Sequence, residues 1–350
     1  TGGTVTVDDW IYAGGDFRNI GGQPRNFIAR LYGSDGTIDP TFNPNPNNAV
    51  RAIAIDTNGN PLVGGEFTNI GGQSRNYIAR LNSSDGTVDP NFNPNPNNAV
   101  RAIAIDPNGN PLVGGSFTNI GGQPRNYIAR LNSINGTADR SFNPDANNFV
   151  NSISVFPDNG ISVVGGEFTN INGLPRNYIA RLNSNGTADA NFDANADNFV
   201  NAITFNANRG NVVVGGLFAN IGGLSRNNIA RLSSSSGTAD AVFNPNNNHP
   251  IAINAIAFNT NNKTVVGGGF TNIAGQPRNY IARLNSDTSA DPTFNPNADG
   301  TVYTIAIDPK RSIVYTPNPT FNGLDTFSYT ASDGYSTSTS TVNVLVNNSP

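Results

Sequence analysis

The sequence predicts an all-β protein, a β-propeller made of four-stranded blades of about 50 residues. First, residues 63–70 recur as near-copies at intervals of 50 to 52 residues along the chain. Second, the same two further blocks follow each copy in the same order. Third, short segments with the side-chain alternation of a β-strand are frequent, and no part of the chain has a helical period of apolar residues. A fixed period of this size is typical of solenoids, propellers and arrays, and four short strands per period favour the propeller.

One repeat consists of three blocks. Residues 63–70 contain the pair Gly64 and Gly65, residues 75–81 read Arg-Asn-Tyr-Ile-Ala-Arg-Leu, and residues 86–92 read Gly-Thr-Val-Asp-Pro-Asn-Phe. The first block begins again at five other positions: Ala13, Val113, Val164, Val214 and Val266. The chain therefore contains six complete repeats, and each is expected to bury its apolar face against its neighbours.

The strands follow from the pattern within one repeat. Residues 100–105 alternate and are rich in branched side chains, which predicts a first strand, and residues 106–110 have the composition of a turn. Residues 112–117 form the predicted second strand, where the glycine pair indicates close approach of another backbone or a bulge, as expected for an inner strand near the axis. We expect a third strand at 127–131 and a short fourth strand at 139–142.

The ends of the chain leave two ways to close the array. Residues 301–350 are either an aberrant seventh blade or, after a strand at residue 302 that completes the N-terminal blade, an appended β segment. We favour seven blades, because residues 4–7 already occupy the first-strand position of the N-terminal repeat. The predicted domains are thus a six-repeat propeller at 1–300 and a last blade or partial sandwich at 301–350, with a hairpin formed by residues 326–331 and 340–346.

The block order Gly-Gly-x-Phe-Thr-x-Ile-x-Gly, Arg-Asn-x-Ile-Ala-Arg-Leu-Asn and Asp-Gly-Thr-x-Asp-x-x-Phe-Asn resembles the delta-60 repeat family of prokaryotic surface proteins over residues 5–297. That resemblance implies a β-propeller in large exported proteins. Residues 314–346 are similar to the second half of a bacterial cadherin-like or immunoglobulin-like domain, in motifs at 314–317, 321–325, 327–329 and 333–334. Such modules occur in adhesins, but the first half of one is missing here.

Composition excludes several classes of function. Charged residues are 13% of the chain, about half the usual share, and the net charge is −4, so there is no basic surface for nucleic acid. No apolar segment approaches the ~20 residues of a membrane span. Cysteine is absent, which rules out disulfides and thiolate ligands, and methionine is absent too. The lack of both oxidisable residues favours an extracellular or cell-surface location.

The repeated arginines and aspartates are the most prominent chemical pattern. Two positions of the second block hold 12 of the 20 Lys and Arg residues. The sets in two successive repeats are Arg75, Arg80 and Asp89, then Arg125, Arg130 and Asp139. We interpret them as structural, each arginine crossing between blades to a carboxylate or to carbonyl oxygens. A ring of anion or sugar sites is the functional alternative.

Aromatic residues recur at two kinds of position. The repeated phenylalanines are predicted to form inter-blade core: Phe67, Phe92, Phe117, Phe142, Phe168, Phe192, Phe218, Phe243, Phe270 and Phe294. Four tyrosines are candidates for stacking on sugar rings, although their predicted place inside a strand favours packing: Tyr77, Tyr127, Tyr178 and Tyr280.

Other candidates for chemistry are few. His249 is the single histidine, so no His-based triad or multi-histidine metal site is expected, and no cofactor is predicted. Glu66 and Glu167 are the only glutamates, and their separation by two repeats speaks against a glycosidase pair. Four sequons lie in predicted turns and are candidate glycosylation sites: Asn82, Asn135, Asn185 and Asn262.

These observations favour an extracellular structural or adhesive protein, a propeller subunit of a surface layer, filament or tube that forms homo-oligomers or polymers through subunit contacts. The alternative is a carbohydrate-binding, lectin-like propeller with repeated sites. An enzyme is not expected; a polysaccharide-active one ranks third. Divergence between blades distinguishes the three, because a catalytic site requires varied polar groups that converge on one face.

Overall fold

The computed structural model describes residues 3–33, 35–206, 210–243, 253–258, 263–285, 289–317, 323–332 and 337–346, with side chains described within residues 10–307. In this part of the chain, six antiparallel sheets of three strands form the blades. The inner strands are Val302–Pro317, Val50–Ile55, Val100–Ile105, Val150–Val155, Val200–Asn206 and Ile253–Phe258 for blades 1 to 6. The middle strands are Gly3–Gly15, Pro61–Gly65, Pro111–Gly115, Ser162–Gly166, Asn211–Gly216 and Thr264–Gly268. The outer strands are Ile28–Tyr32, Ile78–Arg80, Ile128–Arg130, Ile179–Leu182, Ile229–Ser233 and Ile281–Leu284.

A small ribbon of two-residue strands connects the middle and outer strands of every blade. These ribbons pair Asn19–Ile20 with Gln23–Pro24, Asn69–Ile70 with Gln73–Ser74, Asn119–Ile120 with Gln123–Pro124, Asn170–Ile171 with Leu174–Pro175, Asn220–Ile221 with Leu224–Ser225, and Asn272–Ile273 with Gln276–Pro277. The predicted fourth strand at 139–142 is wrong. A single bridge, Leu131 with Ala138, takes its place, and Asp139 starts a turn by accepting the Ser141 backbone N–H at 2.8 Å.

The ring closes with six blades, so the favoured seven-bladed arrangement is wrong and the six-bladed alternative is correct. The strand Val302–Pro317 pairs antiparallel with Gly3–Gly15, from Gly15 opposite Val302 to Gly3 opposite Pro317. Its first residues therefore supply the inner strand of blade 1, and they contact the inner strands of blades 2 and 6. Residues 4–7 do not form a separate first strand, because they continue the middle strand of blade 1 outward. The propeller thus extends past the predicted boundary at residue 300.

The C-terminal hairpin is confirmed. Gly323–Ser332 pairs with Thr337–Val346, and among the described residues these two strands have no other partner in a sheet.

The core is divided into six clusters, one at each interface between adjacent blades. Each cluster takes a phenylalanine from the third block of one repeat and another from the first block of the next, as Phe142 and Phe168 do between blades 3 and 4. The cluster between blades 6 and 1 joins Phe294 with Phe17 and so completes the circle. The predicted inter-blade role of the phenylalanines is confirmed. Because each blade buries its faces only against its neighbours, closure of the ring also covers the faces that the first and last blades would otherwise expose.

The glycine pair is required by the packing of the middle strand. A β-carbon on Gly64 would lie 2.4 Å from Cγ1 of Val100 in the next blade, and one on Gly65 would lie 2.2 Å from the carbonyl oxygen of Ala49. Both distances are far inside van der Waals contact. The first glycine therefore allows the next blade to pack closely against the middle strand. The second allows the inner strand of the same blade to lie close to the middle strand.

Candidate functional site

One end of the central channel is surrounded by side chains that differ from blade to blade. Each inner strand begins with a fully buried apolar residue, and the next residue is only partly buried and borders the channel. Around the ring these second residues are Arg51, Arg101, Asn151, Asn201, Asn254 and Tyr303. Two further rings follow along the channel. The first is small, Ala52, Ala102, Ser152, Ala202, Ala255 and Thr304, and the second is six isoleucines, Ile53, Ile103, Ile153, Ile203, Ile256 and Ile305.

The first ring forms the wall of a cavity of about 310 Å³, which we call the axial mouth. It is lined by Arg51, Glu66, Arg101, Asn151, Glu167, Phe199, Asn201, Leu217, Asn254 and Tyr303. Glu66, Glu167 and Leu217 occupy one repeat position, the residue just after the glycine pair. A ring brings alternate blades to one axis, so separation by two repeats does not keep Glu66 and Glu167 apart: both line this cavity. A second space of about 100 Å³ shares the first ring with the mouth and is also lined by the two further rings.

Arg51 organises one half of the axial mouth. Its Nε and Nη2 both donate to Oε1 of Glu66, at 3.1 and 2.7 Å, and its guanidinium lies 3.9 Å from the centre of the Tyr303 ring. The Tyr303 hydroxyl donates to Oδ2 of Asp16 at 2.5 Å. Asp16 is the blade 1 equivalent of Glu66, so a carboxylate accompanies each of these two neighbouring ring residues.

Arg101 connects this half to the next blades. Its Nη1 donates to Oδ1 of Asn151 at 3.1 Å and to Oε1 of Glu167 at 3.2 Å. Its guanidinium also lies 4.4 Å from the centre of the Phe149 ring. Nδ2 of Asn151 in turn donates to Oδ1 of Asn201 at 3.4 Å. These contacts join three successive blades at the mouth.

The two arginines differ in electrostatic environment. Burial alone would lower the pKa of Arg51, but attraction from Glu66 and from the Tyr303 and Asp16 pair raises it above its usual value. Burial lowers the pKa of Arg101, and repulsion from Arg51 adds to that, although Glu167 opposes both. Burial and the hydrogen bond to Asp16 raise the pKa of Tyr303. At neutral pH the mouth therefore holds two cationic arginines and a neutral phenol.

The second half of the mouth is uncharged. It consists of Asn201, Asn254, Phe199 and Leu217, and Leu217 is 44% exposed, which is unusual for a large apolar residue of this chain. Phe199 packs edge-on against Tyr178, with ring centres 5.6 Å apart. The mouth thus combines an apolar wall with amides and charged groups, the composition of a small-ligand site.

The repeated second arginine of each block, which we call the clamp arginine, lies far from the mouth on the outer strand. Nε and Nη2 of Arg130 donate to Oδ2 of Asp139 in the same repeat, at 2.9 and 2.7 Å, and its Nη1 donates to the carbonyl oxygen of Ser184 in blade 4 at 2.8 Å. The guanidinium also lies 4.9 Å from the centre of the Phe142 ring. The partner aspartate is therefore within the blade, and the contact between blades goes to a carbonyl.

The same contacts recur around the ring. Arg80 pairs with Asp89 and donates to Ser133 O at 2.5 Å in the next blade, and Arg283 pairs with Asp291 and donates to Gly33 O at 2.6 Å, which joins blade 6 to blade 1. Burial alone would raise the pKa of Asp139, but hydrogen bonds from Ser141 and Arg130 outweigh it and hold the pKa below the ordinary value. The pKa of Asp89 is lowered in the same way by Asn91 and Arg80.

The first arginine of each block does not cross between blades. Nη1 of Arg125 donates to the carbonyl oxygen of Pro124 at 2.6 Å, and its Nη2 donates to that of Asp139 at 2.8 Å. Arg75 contacts the carbonyl oxygens of Ser74 and Asp89 in the equivalent way, at 2.8 and 3.4 Å. Both arginines of a repeat therefore converge on one aspartate, one on its carboxylate and one on its backbone.

The four candidate tyrosines precede the outer strand instead of lying inside a strand. Tyr77, Tyr127, Tyr178 and Tyr280 all have a left-handed backbone, with φ between 63° and 65°. Such a conformation is rare for a bulky residue. The Tyr127 N–H donates to Phe117 O at 3.0 Å, and Tyr127 O accepts from Gly115 N–H at 3.0 Å. These bonds hold the turn, and the half-buried rings pack against the inter-blade clusters. None of the four is among the residues that line the axial mouth.

Three sequon asparagines lie on exposed turns that they also stabilise. Oδ1 of Asn82, Asn135 and Asn185 accepts from the backbone N–H and hydroxyl of the residue two positions on, at 2.8 to 3.1 Å. Asp35 and Asp85 make the same contacts in other repeats, so turn formation accounts for these side chains. Asn262 and His249 lie outside the described residues.

The axial mouth cannot be recognised within one repeat, although the sequence carries a signal for it. From repeat to repeat, the residue after the glycine pair and the second residue of the inner strand change in charge or polarity, while their neighbours stay nearly constant.

No group of three or more His, Asp or Glu placed to hold a metal ion occurs within the described ranges. The same residues contain no helix long and apolar enough to cross a membrane.

Comparison with known proteins supports the repeat propeller. A family model described as a domain of unknown function (DUF5122) beta-propeller matches six segments, residues 8–42, 58–92, 107–142, 157–192, 210–243 and 260–294. These matches end before residue 314, so the cadherin-like or immunoglobulin-like character of residues 314–346 stays a prediction. No curated protein matches the chain.

A crystal structure of a protein of unknown function from Bacteroides caccae is similar, with a TM-score of 0.51 and 13% sequence identity, covering 86% of this chain and 99% of that one. At this level of identity the likeness concerns the fold alone.

Proposed function

The chain belongs to the DUF5122 β-propeller family, and we propose that it is an extracellular carbohydrate-binding protein that holds one sugar-sized ligand at the axial mouth. The observation that carries this proposal is the concentration of differences between blades at that one place. Elsewhere the repeats keep the same arginines, aspartates, phenylalanines and glycines. A purely structural ring has no need of three kinds of residue, Arg, Asn and Tyr, at one level of its channel.

The chemistry of the mouth supports a sugar as the ligand. Sugar hydroxyls need both donors and acceptors, and the mouth offers guanidinium and amide donors next to carboxylate and amide acceptors. Phe199 adds an aromatic surface for the apolar face of a sugar ring. A cavity of about 310 Å³ falls at the lower end of the usual range for small-ligand sites. This proposal replaces repeated sites at the four tyrosines with a single site on the axis.

The proposal is for a binding protein and not for an enzyme. The two glutamates of the mouth are held by partners, Glu66 by Arg51 and Glu167 by Arg101. Such pairs are suited to hydrogen bonding with hydroxyls. The extracellular location is part of the proposal and rests on composition, namely the absence of cysteine and methionine and the low share of charged residues.

Isothermal titration with a panel of neutral, acidic and amino-sugar oligosaccharides tests the proposal. We expect saturable one-to-one binding by the full chain, weakened about tenfold or more by Arg101→Ala, which removes a charged hydrogen-bond donor. Arg140→Ala is the matched control, since Arg140 is exposed and lies outside the mouth. Binding that Arg101→Ala leaves intact, or binding with several equivalents per chain, would contradict a single axial site.

We also propose self-assembly through the C-terminal hairpin as a second function. The hairpin Gly323–Ser332 and Thr337–Val346 has no third strand among the described residues. An isolated two-stranded sheet is marginal in water, and its open edges are templates for another chain. Contacts of this kind between copies propagate into a filament or tube when they do not close.

Deletion of residues 318–350 tests assembly, because it keeps the strand that completes blade 1. The truncated chain should stay folded and monomeric in analytical ultracentrifugation, whereas the full chain should form oligomers or polymers visible by electron microscopy. The same polymer from the truncated chain would refute a role for the hairpin.

A further inference from the structure

The two halves of the axial mouth differ in how many hydrogen bonds their polar side chains already make within the protein. Arg51 and Arg101 are each bound to a glutamate, and the Tyr303 hydroxyl is bound to Asp16. Across the cavity, the Asn254 side chain makes no hydrogen bond to any described residue, and Asn201 makes one weak contact at 3.4 Å. The free amides therefore lie on the uncharged side.

Two equivalent phenylalanines, Phe149 and Phe199, differ in whether an arginine covers the ring. Phe149 and Phe199 both directly precede an inner strand, and each packs edge-on against a tyrosine at 5.6 Å. The face of Phe149 carries the guanidinium of Arg101 at 4.4 Å. Asn151 is related to Phe199 as Arg101 is to Phe149, one blade earlier in the ring, so no cation lies over the Phe199 ring. Phe199 therefore presents to the cavity a surface that Arg101 covers in the preceding blade.

Leu217 extends this apolar surface. It occupies the position after the glycine pair, where the other blades have Asp16, Glu66, Ser116, Glu167 and Gly269. Its side chain is 44% exposed, and only two other large apolar residues of the described chain, Ile134 and Val242, are exposed to a comparable or greater degree. Neither of those lines the axial mouth. A single exposed leucine at this position gives the mouth a small apolar patch beside two amides.

We propose that this patch recognises the acetamido group of an N-acetylated amino sugar. The inference rests on the proposed carbohydrate function. An acetamido group has a methyl, which matches Phe199 and Leu217, and an amide, whose N–H and C=O are complementary to the side-chain amides of Asn201 and Asn254. Unmodified hexoses lack the methyl group. Sugar acids are disfavoured, because both arginines of the mouth are already paired with glutamates and leave no free cation for a further carboxylate.

Titration calorimetry with methyl glycosides of N-acetylglucosamine, glucose and glucuronic acid tests the proposal on the full chain. We expect N-acetylglucosamine to bind about tenfold more tightly than glucose, the effect of one further hydrogen bond and one buried methyl group. Glucuronic acid should bind most weakly of the three. Leu217→Ser should reduce the preference for the acetamido sugar over glucose to about twofold or less.

Leu217→Ser inserts the residue that blade 3 already has at this position, and Val242→Ser is the matched control at an exposed apolar residue outside the mouth. If Leu217→Ser fails to fold, Leu217→Glu replaces it, since blades 2 and 4 have glutamate there. Sugar binding without an acetamido preference, or a preference that survives both variants, overturns this inference and leaves the proposed function standing. Absence of binding by any sugar overturns both.

Discussion

The clamp arginines on the outer strands and the axial mouth show opposite patterns of variation on the same blades. Arg80, Arg130 and Arg283 make the same aspartate pair and the same carbonyl contact in their respective blades. At the mouth, by contrast, one equivalent position holds Arg, Asn or Tyr. Residues that repeat in every blade therefore form the contacts between blades. Residues that vary from blade to blade are concentrated at the axial mouth.

This comparison predicts that the two regions respond to mutation independently. A change in the repeated scaffold should alter the free energy of unfolding and leave the chemistry of the mouth unaffected. A change at the mouth should alter binding and leave stability nearly unaffected, because the side chains there are partly solvated. Substitution in each region shows whether this separation holds.

The largest expected effect is on the shared core. Phe168 is fully buried between blades 3 and 4, in a cluster with Phe142. Phe168→Ala should lower the free energy of unfolding by about 3–5 kcal/mol, from lost burial and the cavity left behind. Thermal and urea unfolding measure this, and Val242→Ala, at a residue 88% exposed, should change it by less than about 0.5 kcal/mol. Equal effects of the two substitutions would contradict a core divided among blade interfaces.

A clamp arginine should come next. Arg130→Ala removes the contacts to Asp139 and to Ser184 O, and it leaves a half-buried carboxylate without its cation. We expect a loss of about 1–3 kcal/mol, toward the lower end because the pair is partly exposed. Differential scanning calorimetry should show a clearly lower Tm, with sugar binding unchanged. An unchanged melting curve together with lost binding would refute a structural role for this residue.

Acid should weaken the clamp contacts in a predictable direction. The folded-state pKa of Asp139 lies below its ordinary value of 3.8, so the unfolded chain takes up the proton first as pH falls. The stabilisation from this carboxylate is complete above about pH 4 and is lost as pH drops through the folded-state pKa. Between pH 5 and pH 2, the unfolding free energy of Asp139→Asn should fall less than that of the unsubstituted chain. The difference should be up to about 1 kcal/mol, because the carboxylate is partly exposed and its interactions are partly screened by solvent. Chemical unfolding at a series of pH values measures this, and an unchanged slope would show that Asp139 is not coupled to folding.

The smallest effect on stability should come from the mouth. Arg101→Asn gives blade 3 the residue that blades 4, 5 and 6 already have at that position. The free energy of unfolding should change by about 0.5 kcal/mol or less, whereas sugar affinity should fall. Urea unfolding and titration calorimetry on the same preparation separate the two effects. A loss of stability as large as that of Arg130→Ala would mean that the mouth also serves as scaffold.

The scaffold could be predicted from the sequence because its determinants are local and repeated. The period of 50 to 52 residues, the glycine pair and the paired phenylalanines are read directly from one repeat and its neighbours. Alternation of side-chain types along a segment indicates a strand, and the glycine pair indicates that another backbone lies close to that strand. The predicted fourth strand is wrong because the apolar Phe142 belongs to the inter-blade cluster and follows a turn, not a strand.

The repeat, the fold class and the phenylalanine core follow from the sequence alone, since nearest-neighbour packing specifies each of them. Closure of the ring and the composition of the mouth depend on contacts between distant parts of the chain. Pairing of Gly3–Gly15 with Val302–Pro317 joins strands almost 300 residues apart, and no local pattern distinguishes that pairing from a seventh blade. The mouth likewise gathers Arg51, Glu167 and Tyr303 from three blades. Their proximity follows from the angle between blades around the axis, which is a property of the closed ring and of no single repeat.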